Sequence, residues 1–270
     1  MRIWQRIGLL VVLVGIVSGG MRGQSLQAAG AGFEVTTIKP SAPEENARSL
    51  GWDGRRFTVH YTTMSQMVQF AYNLQAKQIV GAPGWVDSAT WDIEGLAPVG
   101  EPAGREPTAA EFRGMMQRLL AERLGLKMHW EPRTMWAYEL MVAKGGAKLQ
   151  APKKEEMAEI PPGVRIQRGP HEWMRVLGVR GTMPELAAEL QRVETDRPVV
   201  DRTGLKGEFD FEMTATSAKP FFEGELPDTS DAAPPLIFTA IQEQLGLRLE
   251  PVKTDVQCLV VDAVQRPSAN

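Results

Sequence analysis

Residues 119–131, LLAERLGLKMHWE, return in altered form as residues 240–252, AIQEQLGLRLEPV. In each copy an apolar helical face runs into Leu-Gly-Leu and then directly into an extended segment. Ahead of the first stop, Phe112, Met115, Met116, Leu119, Leu120 and Leu124 fall at helical spacing and form one broad stripe. Thr108 and Glu111 have the spacing of a capping box, in which each side chain satisfies an amide of the first turn. Gly125 stands where a left-handed residue closes a helix, and Leu126 is placed to fold back onto the last turn. Ahead of the second stop, Gly246, the prolines 234 and 235 precede a stripe of Ile237, Phe238, Ile241 and Leu245.

The segments on either side repeat in the same order. Residues 33–40 (FEVTTIKP) and 55–62 (RRFTVHYT) alternate and are rich in β-branched residues, which predicts two strands with a polar, turn-forming stretch between them. Thr63 and Gln66 cap a helix whose face is Met64, Met67, Val68 and Ala71. Residues 78–84 are a short extended piece, and residues 90–96 (TWDIEGL) a further strand. Residues 128–131 and 137–144 read as a closing pair of strands. In the second half, residues 164–168 and 173–180 stand for the opening strands. Thr182 and Glu185 cap a helix with the face Met183, Leu186, Ala187, Leu190 and Val193. Residues 199–204 match 80–84, and Phe209-Asp210-Phe211-Glu212 matches Trp91-Asp92-Ile93-Glu94. The period of about 120 residues exceeds that of solenoid repeats and predicts a duplicated unit. The expected fold is α+β: two copies of ββαββαββ, each a mixed or antiparallel sheet packed against two helices. The first repeat spans 33–149, the linker 150–162 and the second repeat 163–270.

Residues 1–23 have the form of a signal peptide, with Arg2 and Arg6 before an apolar core, Ile7 to Val17, too short to span a bilayer. Several small residues follow, so more than one cleavage point fits. Removing these residues takes away Arg2, Arg6 and Arg22 and no acid, so the formal charge goes from −3 to −6. An acidic chain without a long basic run points away from nucleic acid as a partner. No later segment has the length and apolarity of a membrane span. Cys258 is the only cysteine, which excludes an intramolecular disulfide, and its apolar setting predicts a buried small hydrophobe.

Motifs for chemistry are missing. His60, His129 and His171 have no second ligand at helical or hairpin spacing, and no nucleophile elbow, phosphate loop or dinucleotide fingerprint occurs. The pairs Asp92/Glu94 and Asp210/Glu212 recur at equivalent positions, which suits an exposed strand face. No catalytic residue, metal or cofactor is therefore assigned. The tryptophans are the asymmetry: Trp52, Trp85, Trp91, Trp130 and Trp136 lie in the first half and Trp173 in the second. Trp91 reads as core. Trp52, Trp85 and Trp136 lie at or near turns and are the candidate ligand- or partner-binding residues.

The segments FEVTTIKPS, TTMSQMVQFAY, GAPGW, WDIEG, LLAERLGLKMHWE, YELMVAKGGAKL, VVDRTGLKGEFDFEMT, AIQEQLGLRLEP and LVVDAVQRPSAN together resemble a family of uncharacterised secreted proteins of soil Acidobacteria, domain of unknown function 3738. The resemblance covers nearly the whole chain after residue 23. It implies export and the two-part layout, and it brings no activity. Each half is also similar, at fold level, to the small α+β module that opens secretins and TonB-dependent receptors. The expected function is an exported periplasmic or extracellular module, non-enzymatic, that binds an envelope protein or a small ligand. The alternative is a secreted hydrolase acting on cell-wall or environmental polymers.

Overall fold

The computed structural model describes residues 31–42, 48–100, 104–153, 160, 162–169, 173–193, 197–217 and 233–268. The expected signal peptide and His171 lie outside the described residues, as do most of the linker and residues 218–232. The chain is mixed α+β. In order it forms β1 (Val35–Pro40), β2 (Ser49–Asp53), β3 (Arg56–Thr63), α1 (Met64–Tyr72), β4 (Ile79–Val80), α2 (Trp85–Ser88), β5 (Thr90–Leu96), α3 (Ala109–Leu124) and β6 (Lys127–Val142). There follow β7 (Gly163–Arg168), β8 (Trp173–Gly181), α4 (Met183–Val193), β9 (Val199–Asp201), β10 (Phe209–Thr216), α5 (Ile237–Ala240) with a π-helical turn at Ile241–Leu245, and β11 (Leu247–Ala263).

The helices α1, α3 and α4 start where local chemistry says they should. The Thr63/Gln66 and Thr108/Glu111 boxes close in both directions, and Thr182 and Glu185 exchange the same bonds. All six stripe residues of α3 are buried, and Gly125 closes it at φ 58° with Leu126 N–H donating to Leu120 O. Glu111 also takes both forks of Arg105, at 2.9 and 2.6 Å, and that guanidinium with the Thr108 donors holds its carboxyl down at about 2 despite partial burial. Because the folded value lies below the ordinary 4.5, this contribution is complete above about pH 4.5 and is lost as pH falls toward 2. The stability advantage of the wild type over Glu111→Gln is therefore expected to shrink across that window. Parallel melting curves of the two proteins would remove this ion pair from the account.

The helix before Gly246 departs from expectation. Ala240, in place of Phe238, joins Ile237, Ile241 and Leu245 in the core, and a π-helical turn at Ile241–Leu245 ends the helix. Phe238 turns out to 37 % exposure against the ring of Tyr138. The stretch before Gly54 also carries a strand, β2, which is not predicted by its local propensity. It pairs with β3 through the turn at Gly54, where φ is 53°.

The larger correction concerns the sheets. Among the described residues there are three: β1-β5-β3-β2 and β10-β8-β7, both antiparallel, and a mixed third sheet, β4-β11-β6-β9. The expected closing pairs are two unbroken strands, β6 and β11, that pair antiparallel along their whole length. Pro132 does not break β6. Tyr138 turns its N–H to Pro198 on the β9 side, so Pro132, at the same parity, faces away from β11 and no ladder bond is missing. Pro251 sits opposite Tyr138 with the same parity on β11.

This pairing interlocks the two cores. One gathers Phe57, Met67, Ile93, Phe112 and Leu120, and takes Leu259 from the far end of β11. The other gathers Met174, Leu186, Leu190, Phe211 and Ile241, and takes Leu140 from β6. The chain just past each long strand docks on the other half's helix stop: Lys148 N–H donates to Leu245 O, and Gln265 N–H to Leu124 O.

Asp92 and Glu94 do not share an exposed face. Asp92 is 3 % exposed and accepts from Tyr61 N–H at 3.0 Å and Ser41 Oγ at 2.7 Å, whereas Glu94 is solvated. β3 is bulged opposite Asp92, and Tyr61 in the bulge has φ 46°. Asp210, 6 % exposed, accepts from Arg180 N–H at 2.8 Å, and Arg180 has φ 48°. Each carboxylate satisfies the amide of a strained residue, a requirement that strand alternation does not reveal.

Candidate functional site

β2 and β7 are the end strands of their sheets, and both border one cleft of about 660 Å³. Leu50, Gly51 and Trp52 of β2 line it, as do Val164, Arg165, Ile166 and Gln167 of β7. Consecutive strand residues point to opposite faces, so a cavity that meets every residue of a run meets the strand's edge. Residues 106–109, at the start of α3, close one side.

Trp52 is the aromatic wall, 41 % exposed. Its ring lies 5.1 Å from Phe112 and is stacked at 6.5 Å on Phe57, so the core holds one part rigid while the rest stays open. Phe70 also lines the cleft, with its ring 6.4 Å from Trp52.

Charged groups come from both halves. Arg113 of α3 reaches Glu189 of α4 at 3.6 Å, and Arg192 reaches the same carboxylate at 2.6 Å. Burial draws the Arg113 guanidinium below the usual arginine range, with Glu189 opposing the shift and Arg192 adding to it. It stays protonated at any working pH. Beside this cluster α1 and α4 are tied end to end: Asn73 Nδ2 donates to Ala188 O at 3.1 Å, Gln75 Nε2 to Gln191 O at 2.6 Å, and Gln191 Nε2 to Asn73 O at 2.7 Å. The cleft is thus braced by side-chain hydrogen bonds between helices of both halves.

The three tryptophans singled out in the sequence lie on three different elements. Trp85, in α2, packs against the first core with Arg266 over its ring at 5.4 Å. Trp136, in β6, is 57 % exposed with Arg197 at 5.7 Å. Neither lines the Trp52 cleft. Arg113, Glu189, Arg192 and the β7 edge carry no sequence signal, because only tertiary packing of α3 and α4 brings them together.

Other reactive groups are placed as follows. Cys258 is fully buried in β11, and burial pushes its thiol up, as for a core residue. His129 pairs with Asp262 at 2.9 Å on the surface. Among the described residues no cluster of His, Cys, Asp and Glu could hold a metal ion, and no helix is long and apolar enough to cross a membrane.

A family model described as "Protein of unknown function (DUF3738)" matches residues 65–264. No curated protein and no solved structure matches the chain.

Proposed function

The chain belongs to the family of proteins of unknown function DUF3738, and we propose that it is an exported, non-enzymatic binding module whose ligand occupies the Trp52 cleft. Export rests on the charged start and short apolar core of residues 1–23. We also propose that the chain arose by duplication of one α+β unit, with repeats 33–149 and 163–270. The paired caps, the paired Leu-Gly-Leu stops and the two aspartate-held bulges support this reading. A cleft between the units is then a surface that neither copy has alone.

The observation that carries the binding role is the half-open Trp52 ring, held by core aromatics and set between two sheet edges. Concave sites with a rigid aromatic anchor and a few polar groups are where binding energy concentrates. The ligand class follows as an envelope protein segment or a small ligand. The cleft holds one carboxylate tied to two guanidinium groups, an arrangement suited to shape and charge and not to proton transfer.

Affinity capture by the processed chain from its own envelope, with cross-linking and mass spectrometry, tests this. Cross-links are expected at residues lining the cleft, and Trp52→Ala is expected to weaken capture roughly tenfold or more. Trp85→Ala and Trp136→Ala serve as comparisons. Capture that survives Trp52→Ala and fails with Trp136→Ala would move the binding surface to β6.

A further inference from the structure

We infer that Gln244 seals the outer edge of β10, its side-chain amide standing where a neighbouring strand would, and that this seal keeps the edge from pairing with a second copy of the chain. The edge shares no residue with the Trp52 cleft.

In the first sheet β5 is flanked on both sides, by β3 and by β1. In the duplication proposed above, β10 is the counterpart of β5. Among the described residues, however, β10 has only β8 as a neighbouring strand. Parity shows which of its groups face the empty side. Gln150 exchanges both backbone bonds with Asp210, each at 3.0 Å, and Thr216 N–H donates to Pro235 O at 2.9 Å. Even-numbered residues of β10 thus turn their main chain outward, whereas Phe211, Met213 and Ala215 bond to β8. At Thr214 both outward partners are atoms of one side chain. Thr214 N–H donates to Gln244 Oε1 at 3.0 Å, and Gln244 Nε2 donates to Thr214 O at 2.8 Å. These are the two bonds that a residue of an antiparallel strand would make.

The π-helical turn at Ile241–Leu245 carries Gln244 against β10, anchored by Ile241 and Leu245 in the second core. The residue at the same distance before the first Leu-Gly-Leu stop is Arg123. There the strand is present, and Arg123 borders one cavity with Thr36 of β1. A guanidinium has donors and no acceptor, so it cannot replace both halves of a peptide group, whereas a primary amide can. The amide therefore occurs at the stop whose sheet lacks the outer strand. Glu212, between Asp210 and Thr214, is exposed and paired with Arg175 at 2.6 Å. A charged side chain is a second obstacle to pairing at an edge. Without Gln244, Glu212 and Thr214 would offer successive outward donors and acceptors, the template on which another chain adds.

Gln244→Met keeps the length of the side chain and loses both bonds. Hydrogen exchange at low concentration is expected to be roughly tenfold faster or more at the Thr214 amide, with Met213 and Ala215 at their wild-type rates. A mere loss of packing would raise all three together. Sedimentation is expected to show the variant associating, as its concentration rises, beyond the mass of the wild type. In the associated form the Glu212 and Thr214 amides are expected to be protected, because a strand of the second copy takes their bonds. Gln244→Glu, which keeps the acceptor and loses the donor, carries the same measurements if Gln244→Met does not fold. A variant that keeps the wild-type mass at every concentration overturns the inference. So does a Thr214 amide no faster than its neighbours, or association that leaves Glu212 and Thr214 unprotected.

Discussion

Gly246→Ala is expected to lower the unfolding free energy by about 3 kcal/mol or more, and the melting midpoint by roughly 10 °C. Gly125→Ala, at the matching Leu-Gly-Leu stop, is expected to cost only about 1 kcal/mol. Both glycines are left-handed, at φ 65° and 58°, so each alanine bears the same conformational penalty. What separates them is the neighbour. A Cβ on Gly125 would meet only the end of Gln265, at 3.9 Å, whereas one on Gly246 would overlap the carbonyl oxygen of Gly146 and lie 3.1 Å from the Cα of Ala147. The backbone there has no room to yield. Ala143 N–H donates to Gly246 O at 2.9 Å, and Lys148 N–H to Leu245 O at 2.8 Å. Equilibrium denaturation of both alanine variants is the measurement. Equal losses would show that the docking of residues 143–148 on this helix stop contributes nothing.

Asp92→Ala is expected to cost about 3 kcal/mol. It strands two half-buried donors, the Tyr61 amide and the Ser41 hydroxyl, and the amide belongs to a residue held at φ 46°. Asp92→Asn keeps one acceptor and is expected to recover part of the loss. The same site predicts acid sensitivity. Burial alone would raise the carboxyl, but the Tyr61 and Ser41 donors, with the charges of Lys39 and His60, hold it below its ordinary 3.8. A folded value below the unfolded one stabilises fully above the unfolded pKa and loses that stabilisation as pH falls through the folded one. The wild type should thus lose stability below about pH 4 more steeply than Asp92→Asn. Identical slopes for the two proteins would show that this carboxylate is not held down.

Local signals carried far in this chain. Thr63, Thr108 and Thr182 each have the partner three residues on that closes a capping box, and a capping box needs nothing beyond its own turn. The α3 stripe is buried residue for residue, because a periodic apolar face is a local property that any core will use. Trp52 was legible as a candidate for a similar reason: an indole near a turn signal has limited ways of being buried. Its cleft was not legible, since Arg113 and Glu189 lie on different helices and their salt bridge exists only once those helices meet.

By itself, then, the sequence determined the capped starts of α1, α3 and α4, most strand positions and the two Leu-Gly-Leu stops, all of which follow from spacing within a few residues. Tertiary structure alone decided that β6 and β11 run unbroken through both cores, because a proline's missing donor matters only relative to the strand beside it. It also decided that Asp92 is buried, because the bulge that receives it belongs to another strand. The cleft between β2 and β7 is of this second kind: an edge is defined by the absence of a neighbour, and no residue of the strand itself encodes who the neighbours are.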